Sequence, residues 1–285
     1  MHAVKRLLFR PILWAIPVAL VSIFFIGCAV FRYNSSSHFS FVGYGGTFKA
    51  TDLHILGIPI YWFMLLLGFL VSLLFSFLER KKSQMSVFAA LLHPIVFLII
   101  SIIGAKLLYM VENHQVLSSG NVELSGLSLY GAFFSTMLLT PIFAKISKRR
   151  SQDQYDYYTS LFLILLIFVR LGCFFNGCCG AKILWIHSNP IILPVQLFEV
   201  TLDIAFFDLC LSLQKKYPSQ GYAFPAFTIM YGFSRFFIEF LRKNQPVLLG
   251  LTSSQIISVI VIIIAVFMIG FFKRRNNKTL KMKID

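Results

Sequence analysis

Apolar residues in this chain come in long blocks, not in the alternating or 3.6-residue patterns that a soluble core imposes. Eight blocks approach the roughly 20 residues that a bilayer-crossing helix needs. They are Pro11–Phe31, Ile55–Leu78, Phe88–Val111, Gly126–Ile146, Ser160–Phe175, Val195–Leu213, Tyr222–Leu241 and Ser253–Phe272. The fifth is short because a glycine-studded turn interrupts it. The pattern predicts an all-α polytopic membrane protein, without internal repeats or long linkers. Residues 1–54 read as an N-terminal span plus an outer polar segment, 55–272 as the main transmembrane domain, and 273–285 as a basic tail. The first span has a basic head and ends in Phe25-Ile26-Gly27-Cys28, which is signal-peptide-like. Its length and Phe25 favour a retained anchor.

Composition agrees. Of 285 residues 58% are hydrophobic and only 13% charged, about half the charged share of a soluble domain. The net charge of +15 would suit nucleic acid if it lay on one soluble face. Instead the basic clusters Lys5–Arg10, Arg80–Lys82, Lys145–Arg150, Lys215–Lys216 and Lys273–Lys283 fall in alternate gaps between blocks. The positive-inside rule then puts these gaps and both termini in the cytoplasm, with no nucleic-acid partner.

Polar residues inside apolar sequence gather on the other side. Tyr61 opens one span, Gly104, Lys106 and Tyr109 close the next, and Leu127–Gly131 opens the one after. Arg170 ends the Ser160–Phe175 span within the stretch F-V-R-L-G-C-F-F-N-G-C-C-G-A, residues 168–181. An arginine at a helix centre costs about 2.5–3.5 kcal/mol on insertion scales, and less near an end. Gln196, Glu199 and Asp203 share one helical face, as do Tyr231, Arg235, Glu239 and Arg242. Such stripes can be structural ion pairs. Yet Arg170, Arg235, Arg242 and Lys106 outnumber Glu199 and Glu239 at that depth, with Asp203 and Asp208 deeper. A cationic surplus facing outward suits a phospholipid phosphate. Five cysteines, an odd number with the vicinal pair Cys178-Cys179, argue against a disulfide framework. Cys-x4-Cys-Cys also lacks a companion pair at metal-ligand spacing, so small residues packing a helix end are expected and no metal. No Ser-His-Asp set is visible: His93 lies near the opposite face and His187 in an outer loop.

These motifs resemble the bacterial phosphatidylglycerol–prolipoprotein diacylglyceryl transferases from about Ile55 to Phe272. Arg170-Leu171-Gly172-Cys173-Phe174-Phe175-Asn176-Gly177 is similar to the family's R-x-G-(N/C)-F-x-N-G signature, and Cys178-Cys179 to its cysteine-bearing branch. Pro194–Glu199 resembles its P-(S/T)-Q-L-(Y/F)-E element, and Tyr231–Arg242 its Y-G-x-x-R-F-x-x-E-F-x-R helix. Tyr61 with Gly68, Gly104–Tyr109 and Leu127–Gly131 are weaker echoes. Three positions depart from the pattern. Tyr130 stands where the family often has histidine, Leu193 where it has a basic residue or histidine, and Lys106 where it usually has arginine.

The resemblance implies transfer of the diacylglyceryl group of phosphatidylglycerol to the lipobox cysteine of preprolipoproteins, at the outer face of the plasma membrane and without a cofactor. It implies Arg170, Arg235, Tyr130 and Glu239 as catalytic residues. Tyr61, Lys106, Arg170, Asn176, Gly177, Gln196, Glu199 and Arg242 would bind phosphatidylglycerol, with Arg242 at the pocket mouth. Either Tyr130 or a carboxylate would take the thiol proton. The alternatives are a non-catalytic relative that binds phospholipid or a lipoprotein precursor, and a small transporter.

Overall fold

The computed structural model describes residues 54–112, 127–242 and 246–281, apart from 56, 82, 84, 177, 180–182, 187, 188, 193 and 194. The Pro11–Phe31 span, nearly all of the polar segment after it, His187, Leu193 and residues 282–285 lie outside the described residues. Among these, seven α-helices dominate: α1 (Ile60–Glu79), α2 (Val87–Glu112), α3 (Leu129–Ile146), α4 (Ser151–Phe175), α5 (Val195–Lys216), α6 (Ala223–Ile238) and α7 (Ser253–Lys281). Two short antiparallel hairpins accompany them. β1 (His54–Ile55) pairs with β2 (Ile58–Pro59) around Gly57, whose φ of 77° requires glycine. β3 (Ile183–Ile186) pairs with β4 (Asn189–Ile192) between α4 and α5.

Five helices, α1, α2, α3, α4 and α7, are long and apolar enough to cross a membrane. α5 carries Glu199, Asp203 and Asp208, and α6 is only 16 residues long. Leu66, Leu70 and Leu74 of α1, Phe88 and Ile99 of α2, and Ile263 and Phe267 of α7 are exposed. A soluble protein would bury such surfaces. Lipid is their solvent, and the protein is a multi-pass membrane protein.

α4 is the central helix. Seventy-two per cent of its membrane-crossing stretch is buried inside the protein, against 22–33% for the other four. It packs on α1, α3, α5 and α6. It also begins nine residues before the predicted Ser160, within the polar run Ser151–Thr159. That run lies inside the protein rather than in solvent. Asp156 Oδ1 accepts the backbone N–H groups of Ala223 and Phe224 (3.0 and 3.3 Å), which the start of α6 would otherwise leave orphaned. Buried Gln152 bonds Asn276 of α7 (2.9 Å), and Gln154 bonds Arg149 (3.0 Å). His93 sits at the same end, 3.0 Å from the Tyr158 hydroxyl. The sequence reading placed basic clusters, such as Lys145–Arg150, at this end, and the buried polar network beside them is an addition to it.

α2 and α3 meet backbone to backbone. A Cβ on Gly104 would lie 2.6 Å from the Gly131 carbonyl oxygen, and one on Gly131 would lie 2.8 Å from Leu108 Cβ. Small residues allow such close helix packing in lipid. Gly131→Ala should therefore lower stability by about 1–3 kcal/mol through overpacking. The check is the thermal midpoint in detergent. Gly270→Ala, where nothing lies within 4 Å, should serve as a control with no such fall.

Candidate functional site

At the end of the bundle away from Asp156, α4, α5 and α6 bring their charged residues to one point. Arg170 sits near the C-terminus of α4, Glu199 in the second turn of α5 and Arg235 in the last turn of α6. Glu199 Oε1 accepts from Arg170 Nη2 and Arg235 Nη1, both at 3.1 Å. Its Oε2 accepts from Arg242 Nη2 at 2.9 Å. Arg235 Nη2 also pairs with Glu239 Oε2 at 3.2 Å, and Arg170 Nη2 donates to the Tyr231 hydroxyl at 3.2 Å. All of these side chains are buried. One carboxylate thus holds three guanidinium groups from separate parts of the chain.

Local backbone explains how Arg242 joins. α6 ends at Ile238 and tightens into a 3-10 turn over Glu239–Leu241, after which Arg242 is extended at φ −87°, ψ 157°. The chain swings back and seats Arg242 on Glu199. Arg242 was expected at the pocket mouth. It is instead buried at 6% exposure, because the turn directs it inward to a carboxylate.

Beside this cluster lies a cavity of about 630 Å³ between α1, α2, α3 and α4. Ser101, Ile102, Ala105, Leu129, Leu165 and Leu166 make its wall largely apolar. Tyr61, Arg170, Cys173, Asn176, Cys178 and Cys179 give it a polar side. Arg170 belongs to both the charge cluster and the cavity wall. Its Nε is buried and has no hydrogen-bond partner among the described residues, leaving a donor unspent at a charged site.

Of the remaining predicted residues, Gln196 donates to the Cys178 carbonyl (2.6 Å) and clamps the turn after α4. Gly177 lies outside the described residues. Lys106 is not in the cavity wall; its ammonium sits 5.2 Å from the ring centroid of Tyr109, which is. Tyr130 is not in the wall either. Its hydroxyl bonds Ser258 Oγ (2.6 Å) and donates to the Ser254 carbonyl (3.2 Å).

Sequence reasoning missed the start of α7. Ser254 Oγ accepts from Arg235 (3.4 Å), and Thr252 Oγ1 donates to Glu239 Oε1 (3.1 Å). Ser254 and Ser258, four residues apart at the head of an apolar block, were the available signal. Asp203, one turn beyond Glu199 on α5, is 2% exposed, and its Oδ2 lacks a hydrogen-bond partner among the described residues. The structure also gathers the Cys173, Cys178 and Cys179 sulfurs within 4.8 Å of one another, which the spacing argument did not foresee.

The family model for prolipoprotein diacylglyceryl transferase matches residues 50–271. A phosphatidylglycerol–prolipoprotein diacylglyceryl transferase of Clostridium tetani is 28% identical, over 80% of this chain and 100% of its own length. One from Dehalococcoides mccartyi is 26% identical over 76% of this chain and 89% of its own length. A Clostridium perfringens relative, the second of that name, is 27% identical over 79% and 95%. The motif-bearing residues of the cluster and of the cavity's polar side all fall inside the matched segment. The chain belongs to the prolipoprotein diacylglyceryl transferase family.

Proposed function

We infer that this protein transfers the diacylglyceryl group of phosphatidylglycerol to the lipobox cysteine of preprolipoproteins. The observation that carries the reading is Arg170, held by Glu199 and Tyr231 yet bordering a largely apolar cavity. The acyl chains would lie along the apolar wall, with the phosphate at Arg170. Tyr61 and Asn176 would flank the glycerol, and Lys106 contacts the Tyr109 ring of the wall.

In the reaction the substrate thiol loses its proton and its sulfur forms a C–S bond to the glycerol carbon that carries the phosphate. The C–O bond at that carbon breaks, and its electron pair leaves with glycerol phosphate. The enzyme needs no nucleophile of its own. It needs positive charge placed in advance where the phosphate departs, and a guanidinium fork suits phosphate oxygens. Arg235 and Arg242 are positioning residues in this scheme. With Glu199 and Glu239 they fix the geometry of Arg170.

The basic clusters, the ion-pair cluster at the far end, and the first span as a retained anchor fit an eight-span arrangement. Both termini would be cytoplasmic and the site would face the outer side of a bacterial plasma membrane. Residues 55–272 form the catalytic unit in this reading.

Tyr130 is assigned a positioning role, holding the start of α7 beside Arg235. Tyr130→Phe removes two hydrogen bonds worth about 1 kcal/mol each and should lower kcat about tenfold without changing the pH profile. A loss of a hundredfold or more, with the pH profile altered, would make the Tyr130 hydroxyl the proton acceptor.

The test of the function is mass spectrometry of a lipobox-cysteine peptide incubated with phosphatidylglycerol and the purified protein. The expected result is a peptide heavier by one diacylglyceryl group, with glycerol phosphate released. Phospholipid binding without that product would favour the non-catalytic relative.

A further inference from the structure

We propose that Cys173, Cys178 and Cys179 form a three-sulfur site for a single borderline-to-soft divalent metal ion of the zinc class, with its open coordination position on the lipid cavity. The three sulfurs lie within 4.8 Å of one another, and all three residues line the cavity. Tetrahedral zinc with bonds of about 2.3 Å holds its sulfurs about 3.8 Å apart. The cluster therefore needs only to tighten by up to about an ångström.

The backbone is built for this convergence. Cys173 lies in the last turn of α4. The chain then closes back on it, Cys178 N–H donating to the Cys173 carbonyl at 3.1 Å, and Gln196 clamps the Cys178 carbonyl from α5. Adjacent residues in an extended strand point to opposite faces. Cys179 instead has φ +62°, a left-handed conformation costing a non-glycine residue about 1–2 kcal/mol. The reversal lets neighbouring sulfurs share one centre, and strain of this kind collects at functional sites. The spacing rule failed here because it seeks two pairs, whereas the third donor comes from a helix end.

Three protein ligands and an open fourth position mark catalytic rather than structural zinc. The class of ligand suited to that position is a thiol, and the transfer reaction proposed above brings one. In the exchange the metal–oxygen bond to a water breaks and a metal–sulfur bond forms. The thiol proton leaves with the displaced water as hydronium, and no electrons are exchanged. A metal-held sulfur is deprotonated at neutral pH, which would supply the activation otherwise left to Tyr130 or a carboxylate. Identifying the fourth ligand rests on the transferase reading; the three-sulfur site does not.

The experiment titrates cobalt(II) into the full chain, purified in detergent with all thiols reduced. The expected result is one cobalt per chain with a thiolate-to-metal charge-transfer band, displaced by zinc. Cys179→Ser, at an exposed position, should abolish the band while leaving the thermal midpoint of the metal-free protein unchanged. Cys210→Ser, on α5 outside the cluster, should keep it. A lipobox-cysteine peptide should shift the band and its serine analogue should not. No uptake, a band that survives Cys179→Ser, or a native disulfide between two of the three cysteines would overturn the site. A band that neither peptide shifts would overturn the fourth-ligand assignment. Diacylglyceryl transfer is scored separately: transfer without metal uptake removes this inference and keeps the function, and metal uptake without transfer does the reverse.

Discussion

Glu199→Ala is expected to be the most damaging single substitution at the site. It takes the shared carboxylate from Arg170, Arg235 and Arg242 together. Breaking one buried ion pair by removing a partner costs about 3–5 kcal/mol, because a charge is left buried and uncompensated. Here three guanidinium groups lose a carboxylate, and among the described residues only Arg235 keeps another, Glu239, while Arg170 keeps the Tyr231 hydroxyl. The variant should accumulate poorly, show a lowered thermal midpoint in detergent, and lose transfer activity. Glu199→Gln keeps the shape but not the charge and should fall between the two. Wild-type stability in Glu199→Ala would mean that the cluster relaxes to solvent.

The second large effect is at Arg170. Arg170→Ala should insert and fold, since Glu199 still holds Arg235 and Arg242, but transfer should fall about a hundredfold or more. That matches the loss of about 3 kcal/mol in transition-state stabilisation from one aligned, buried donor. Arg170→Lys should recover little, because a point charge cannot reproduce the fork that reaches Glu199, Tyr231 and a phosphate together. Arg150→Ala, at the opposite end beside Asn276, should leave transfer unchanged. The readout is the rate of peptide modification at matched protein levels in membranes.

Much of this site was legible from sequence. Arg170 stood out because charge is costly where the apolar block ends, and Arg235 and Glu239 because four-residue spacing puts them on one helix face. What spacing could not show is that one carboxylate would take all three arginines. That depends on α5 lying between α4 and α6, and on the 3-10 turn that folds Arg242 back. The same limit hid the beginning of α4. Ser151–Thr159 is too polar to extend the apolar span that starts at Ser160, and what buries it is the start of α6, which supplies N–H groups to Asp156, 67 residues earlier in the chain. Thr252 and Ser254 were passed over because hydroxyls at the head of an apolar helix ordinarily satisfy its own backbone.

The central claim is that Arg170 presents positive charge to a lipid phosphate inside the cavity bordered by α1 to α4. Photocrosslinking with a phosphatidylglycerol that carries its reactive group on the head-group glycerol tests it most directly. The account predicts label mapped by mass spectrometry to Tyr61 and to the Arg170–Cys179 segment, and a marked loss of that label in Arg170→Ala. Label concentrated near His93 and Asp156, or undiminished at the cavity when Arg170 is removed, would contradict it.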